Sequence, residues 1–277
     1  MKVLKIHIYQ PSAHYRIPFS YQRRFTYPIP PLSTVKGLIC NMMGIRTGIT
    51  KWEEDRQLKE LVEGLSIGIY GDFETIVKEY IWFRNLERDS HKSKFHTPYN
   101  RILDSVVQHP GGQMPLTVDV LHNVNIYIYI YHKDYSFLKE IENAFKNPIK
   151  CNSVIHLGRA EDWLIFQEIN LIEELQKSKV FKIPYYCWIP SPAYVEKDLI
   201  VFDNYMTFFK NLQGNMVRLP TIYSIVDNKR SFDEFAIVKL FEKGNLSKSV
   251  ECYVDKNVPI ICSKLIGRTK GNDTCKK

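Results

Sequence analysis

Residues 23–45, RRFTYPIPPLSTVKGLICNMMGI, set two arginines ahead of a proline-fixed run and the start of an apolar helix, an order of residue types suited to holding an anion. First-turn N–H groups of a helix lack intrahelical acceptors and sit at the positive end of its dipole, so a phosphate or carboxylate is favoured there. Arg23, Arg24 and Lys36 add positive charge around that start, and Ser33 or Thr34 is the expected cap. A capped, solvated helix end accounts for the same residues without a ligand. Acid–base chemistry is the second possibility, since a positioned histidine can accept or donate a proton. His14, beside Arg16 in an expected loop, is the better candidate. His7 alternates with Ile6 and Ile8 and reads as the polar face of a strand, while His91, His96 and the hydroxyls of Tyr9, Tyr15, Tyr21 and Tyr27 form no constellation by spacing.

Hydrophobic periodicity supplies the elements that must position these groups. Residues 2–9 read as a strand, and Pro28, Pro30 and Pro31 stiffen the run that follows. The helix after it repeats Val35, Leu38, Ile39, Met42 and Met43 at spacings of three and four, with Gly44 suited to its end. A short helix around 53–62 leads to a strand at 65–70, which 77–83 extends or pairs with. Residues 124–131 give the strongest strand signal of the chain; 136–147 follow as a helix stopped by Pro148, and 163–169 as a further strand. The order β-α-β, β-α-β predicts an α+β chain whose N-terminal domain is ferredoxin-like (RRM-like).

Residues 84–120 are too long for a simple hairpin and interleave Arg84, Arg88, His91, Lys92, Lys94, His96 and Arg101 with Phe95 and Tyr99 before the turn HPGGQMP. They are expected to form an inserted β-hairpin arm, whose cations can grip a nucleic-acid backbone while a ring stacks on a base. Pro184, Pro190 and Pro192 lie among Tyr185, Tyr186, Trp188 and Tyr194, and short strands are expected near 218–226, 234–240 and 249–254. These predict a smaller, mainly β region with a sheet of its own. The division falls into a ferredoxin-like domain at 1–175 and a β-rich domain at 176–277.

With 277 residues, 44% hydrophobic and 25% charged, the chain can bury a sizeable core, which excludes a disordered protein. Its formal charge of +8 favours polyanionic partners without requiring them. Cys40, Cys151, Cys187, Cys252, Cys262 and Cys275 show neither a CxxC pair nor metal-ligand spacing, so free thiols, no metal and no cofactor are expected. The chain opens on a strand signal rather than a signal-peptide pattern, and its apolar runs are short and interrupted by charge. A cytoplasmic protein with no membrane partner is expected. Phosphate-binding patterns of the GxGxxG and GxxxxGK[ST] types are missing from the sequence.

The opening strand, Arg16-Ile-Pro-Phe19, TYPIPPLSTVKGLICNMMG at 26–44 and HLGRAEDW at 156–163 together resemble the family-five CRISPR-associated proteins of the RAMP superfamily, most of all their type I-B branch. That resemblance implies a subunit of the antiviral surveillance complex Cascade. Such a subunit holds the 5′ handle of the crRNA, caps the backbone built by the repeated family-seven subunit, and sits beside the large PAM-reading subunit. Target DNA is met only indirectly, through the complex. Candidate RNA contacts are Arg16, Arg23, Arg24 and Lys36 around the helix start, and Lys92, Lys94, His96 and Arg101 in the arm. Arg159, in the glycine-arginine motif, either meets RNA or pairs with Glu161 or Asp162. No catalytic residue is implied for this branch. The type I-C branch of the same family cuts repeat RNA without metal, using a Tyr, a Lys and a His, and on that alternative His14 is the catalytic candidate. A general RNA-binding protein unrelated to CRISPR is the remaining alternative.

Overall fold

Period-two alternation along two paired strands builds the centre of the fold. The computed structural model describes residues 1–20, 23–48, 51–85, 102–103, 106–107, 112–202, 204–226 and 229–267. Strand β1 (Val3–Ala13) is followed by the short strands β2 (Tyr15–Arg16), β3 (Arg23–Arg24) and β4 (Thr26–Tyr27), and by helices α1 (Leu32–Met43) and α2 (Arg56–Gly64). Next come β5 (Leu65–Asp72), β6 (Thr75–Asn85), the two-residue strands β7 (Ile102–Leu103) and β8 (Val106–Val107), and the 21-residue β9 (Gly112–His132). Helix α3 (Tyr135–Lys146) then leads to β10 (Ile165–Ile172).

The four strands β10-β1-β9-β5 are neighbours in that order, each pair antiparallel. Leu4, Ile6 and Ile8 of β1 and Val124, Ile126, Ile128 and Ile130 of β9 are buried in one core with Val35, Leu38, Ile39 and Met42 of α1 and Phe137, Leu138, Ile141 and Phe145 of α3. The intervening residues of the two strands belong to the opposite face. There Val3, Tyr70 and Tyr129 join a second core with Ile183, Cys187, Ile189, Ile260 and Cys262 from the C-terminal third. The sheet is thus covered on both faces.

Strands β5 and β6 run against β9 in one register, from Leu65↔His132 through Asp72↔Asn125 and on from Thr75↔His122 to Asn85↔Gly112. The inner half of this ribbon pairs β5 with β9 and the outer half pairs β6 with β9, so strand pairing already runs from Thr75, ahead of the arm expected at 84–120. Asn123, at φ 52, marks the break between the halves, and its side chain links Tyr9 to Glu74. Lys92, Lys94, His96 and Arg101 lie outside the described residues.

Beyond β10 the chain forms β11 (Gln176–Ile183), β12 (Tyr186–Pro190), α4 (Tyr205–Asn211), β13 (Asn215–Val226), β14 (Lys229–Phe241), β15 (Gly244–Asp255), β16 (Val258–Pro259) and β17 (Ser263–Lys264). The sequence predicts a separate sheet for the strands near 218–226 and 234–240. They instead extend the main sheet, because β12 pairs with β5 on one edge and with β14 on the other. Only β15, with β11 and β16, forms a separate three-stranded sheet. Lys5 joins the two regions through Glu168 at 3.0 Å and Asp255 at 2.8 Å.

Helix α1 starts earlier than its hydroxyl residues suggest. Pro31 is the N-cap, extended at φ −72° and ψ 160°; its carbonyl accepts the N–H groups of Thr34 and Val35, and no side chain caps the end. Ser33 and Thr34 fall inside the first turn. The other end closes on Gly44, which is left-handed at φ 76. Trp188 of β12 donates its indole N–H to the Pro30 carbonyl at 2.9 Å and meets the Tyr27 ring edge-on, fixing the proline run against the extended sheet. Replacing it by Trp188→Phe leaves a buried carbonyl without its donor, and should lower stability by about 1–3 kcal/mol in urea unfolding. An unchanged midpoint would show that the indole does not anchor the run.

Candidate nucleic-acid interface

One buried carboxylate organises the turn in HLGRAEDW. Asp162 is fully buried, and its Oδ2 accepts the backbone N–H of His14 at 2.9 Å and that of Arg159 at 2.7 Å. The Arg159 guanidinium closes on the same carboxylate, with Nε at 3.0 Å and Nη2 at 2.8 Å from Oδ1. Gly158 turns the chain at φ 116, and a Cβ there would stand 2.6 Å from Asp162 Oδ2 and 3.0 Å from the His14 carbonyl. Gln10 completes the tie by donating to the carbonyls of Leu157 and Asp162, while Tyr15 donates to Gln10 Oε1 at 2.6 Å. The end of β1 and the 156–163 segment are therefore held as one unit.

That unit forms one wall of an open cleft of about 610 Å³. The start of α1 contributes Pro31, Ser33 and Thr34; β2 and β3 contribute Arg16 and Arg24; the clamp contributes His14, Gly158 and Arg159. Tyr223, Arg230 and Phe232 of the β13–β14 hairpin close the far side. A smaller cleft of about 360 Å³ shares Ser33, Thr34, Gly158, Tyr223 and Arg230 with it, and continues past Gly37 toward Arg46 and His156. Four arginines and an uncapped helix start thus line one groove, an arrangement matched to a phosphate-bearing chain.

The sequence-predicted residues divide on closer view. Arg16, Arg24, Arg159 and His14 line the cleft. Arg23 does not: adjacent residues of a strand face opposite sides, and its guanidinium pairs with Asp119 at 3.3 Å and stacks over Phe25. Lys36 departs from the expected open contact. It is fully buried, its Nζ lies 5.1 Å from the centre of the Tyr223 ring, and it has no hydrogen-bond partner among the described residues. Burial, with Arg230 nearby, holds its pKa below the usual lysine value, against the opposing influence of Cys40 and Asp233. Its helical position puts it on the inward side of the second turn, where α1 packs on β13. Arg159 makes ion pairs with Asp162, Glu161 and Glu79. Burial alone would lower its pKa, but hydrogen bonding and charge from Asp162 raise it.

His14 is buried to 4% exposure. Its Nδ1 lies 2.8 Å from the Asp119 carbonyl oxygen. Burial, together with Arg159 and Arg24, lowers its pKa, while the Asp119 carbonyl and Asp162 oppose that shift. Sequence reasoning missed Tyr223, Arg230 and Phe232, whose distance in sequence from α1 hides their approach. The signal lay in residues 218–235, where Arg218 and Arg230 stand among aromatics; the Arg218 guanidinium covers the Phe235 ring at 3.9 Å and Arg230 lies 4.8 Å from that of Tyr223. Among the described residues, no group of three or more His, Cys, Asp or Glu is placed to hold a metal ion, and no helix is long and apolar enough to cross a membrane.

Residues 3–182 match the family described as CRISPR-associated protein (Cas_Cas5), and the chain belongs to that family. The fold is similar to a chain of a structure described as a CRISPR RNA-guided surveillance complex, with a TM-score of 0.52 and 10% identity over 91% of this chain and 90% of the other. A crystal structure of a CRISPR protein from Archaeoglobus fulgidus aligns over 95% of this chain and 99% of that one, at 12% identity and a TM-score of 0.41. No curated protein matches the sequence significantly.

Two substitutions test this geometry. Asp162→Asn removes the charge from a buried pair and turns an N–H donor toward other donors, so it should cost about 3–5 kcal/mol in urea unfolding; a loss typical of a surface change would remove Asp162 from its central place. Lys36→Met replaces a buried amine that has no hydrogen-bond partner among the described residues with an apolar chain of similar length. It should hold or raise the melting temperature, by up to about 2 kcal/mol of stability, and a marked fall would mean that the ammonium has a stabilising partner.

Proposed function

We propose that this chain is a non-catalytic crRNA-binding subunit of a type I, I-B-like CRISPR surveillance complex, and that the cleft between α1, the Asp162 clamp and the β13–β14 hairpin grips phosphates of the 5′ handle. The observation that carries this reading is the convergence of Arg16, Arg24, Arg159 and Arg230 on the uncapped start of α1, in a chain of this family. Guanidiniums bind phosphate oxygens through paired donors, and first-turn N–H groups add donors that need no side chain. We also read the strand order β10-β1-β9-β5, with α1 and α3 on one face, as ferredoxin-like; the antiparallel neighbours on both sides of β1 support this.

The proposed partners are the repeated family-seven subunit and the large subunit. Supporting a subunit contact, β6 carries Tyr80 and Trp82 at 65% and 60% exposure, with Ile76 half exposed beside them. The arm cations Lys92, Lys94, His96 and Arg101 are proposed to reach the handle or the first repeated subunit. A metal-independent ribonuclease is the second reading, favoured by one observation: His14, the candidate base, stands inside the arginine-lined cleft.

Fluorescence anisotropy of the full chain with single-stranded RNA, across a salt series in EDTA, tests both readings. Each of Arg16→Gln, Arg24→Gln and Arg230→Gln should weaken binding and reduce the slope of log K against log salt by about 0.7, the value for one lost phosphate contact on a single strand. Lys36→Met should leave the slope closer to that of the wild type. Slopes unchanged in all three arginine variants would sink the proposed site. RNA recovered intact on denaturing gels supports the non-catalytic role, whereas a discrete cut abolished by His14→Ala would establish the ribonuclease.

A further inference from the structure

The strand at the end of a sheet leaves a row of backbone N–H and C=O groups without a strand partner, and proteins protect such edges with lysine, proline, short length or a covering element. The end strands of the two larger sheets are β10 and β13, and β11 and β16. Strand β13 carries Arg218 and Pro220 and is packed on by α1. Strand β11 carries Lys177, Lys179 and Lys182, and β16 is two residues long and ends in Pro259. Strand β10 differs: its sequence, IFQEINLI, holds no lysine, arginine or proline, and β1 is its one strand partner among the described residues. A bulge at Gln167 breaks the register with β1, and Glu168–Ile172 beyond it form a regular outer edge. No residue of β10 is buried, although Phe166, Ile169 and Leu171 pack against the first core and Ile172 against the second. Both cores therefore run out at this strand with apolar side chains partly open. A further strand laid beside it would cover them and pair the free backbone groups.

Charge decides the kind of strand. Residues 160–176 hold Glu161, Asp162, Glu168, Glu173 and Glu174 without one lysine or arginine, in a chain of formal charge +8. The cations that reach these carboxylates are shared: Lys5 lies between Glu168 and Asp255, and Arg159 among Glu161, Asp162 and Glu79. Lys2 pairs with Glu173 at 3.5 Å, and Glu174 is exposed with no ion pair among the described residues. A second copy of β10 would set like charges against one another, and a phosphate chain would be repelled. We infer that β10 is a docking edge for an extended, lysine- or arginine-bearing segment of another protein, which joins the sheet as a strand beside Glu168–Ile172. No residue of β10 lines the arginine-rich cleft, so this surface stands apart from the nucleic-acid reading.

The test uses the full chain and three short end-blocked peptides. The probe alternates lysine with valine; one control has glutamate in place of lysine, and the other has proline in place of valine, which keeps the charge but cannot pair as a strand. Fluorescence anisotropy measures affinity, and hydrogen exchange locates the contact. The lysine–valine peptide should bind about 10-fold more tightly than either control at fixed salt, since like charges and lost backbone pairing each oppose docking. Exchange within Glu168–Ile172 should slow by about 5- to 10-fold at the amides that pair with the added strand. Glu174→Lys, a change at an exposed position, should weaken the lysine–valine peptide by about 3- to 5-fold. Equal binding of the lysine and glutamate peptides would overturn the inference, as would full binding by the proline peptide or protection that falls outside β10. Dimerisation of the chain with protection of β10, or the same protection produced by RNA, would replace the basic protein segment with another occupant. If Glu174→Lys does not fold, the three peptides on the wild type decide alone, and a lysine–valine peptide that fails to bind at millimolar concentration sinks the proposed edge.

Discussion

The cleft depends on a carboxylate that never reaches it. Asp162 accepts from two backbone N–H groups and a guanidinium while fully buried, and these contacts hold His14 and Arg159 at fixed positions on two segments far apart in sequence. A buried ion pair is weak evidence for stability, since desolvation offsets much of its attraction. Its value here is positional. The same carboxylate that anchors the Arg159 side chain also anchors the backbone at His14, so neither residue can move without leaving part of a buried charge unpaired. Gly158 is required by the close approach, because any Cβ at that turn would collide with Asp162.

A second constraint comes from the length of β9. One register carries β9 from its pairing with β5 on to its pairing with β6, so the described β6–β9 ribbon continues the sheet and follows its twist. Strand β3 adds to this ribbon by pairing in parallel with Thr117 and Val118 of β9. Arg24 thereby enters the cleft while Arg23 is turned to Asp119. The polarity of a two-residue strand decides which of two adjacent arginines can meet a ligand.

Much of the central sheet was legible in the sequence because side-chain alternation is local: the run Val124 to Tyr131 states its two faces in its own order. The helix start was legible for the same reason, although proline geometry, and not a hydroxyl cap, begins it at Leu32. Lys36 was misread as an open contact because a helical wheel says which residues share a face but not what β13 places against it. Tyr223, Arg230 and Phe232 were missed because their contribution is purely tertiary. The separate C-terminal sheet was overcounted, since nothing in residues 186–190 states that β12 will pair with β5.

Charge in the cleft is distributed unevenly, and this separates two tasks that a uniformly basic groove would combine. Arg159 makes ion pairs with three carboxylates, so its role in holding the wall is stronger than its role as a free cation. Arg230 is exposed on a hairpin and its guanidinium lies near the Tyr223 ring, leaving its donors able to adapt to a moving backbone. Between these sits His14, whose imidazole donates from Nδ1 to the Asp119 carbonyl. Long-range attraction from arginines cannot distinguish one phosphate chain from another, because it reads charge alone.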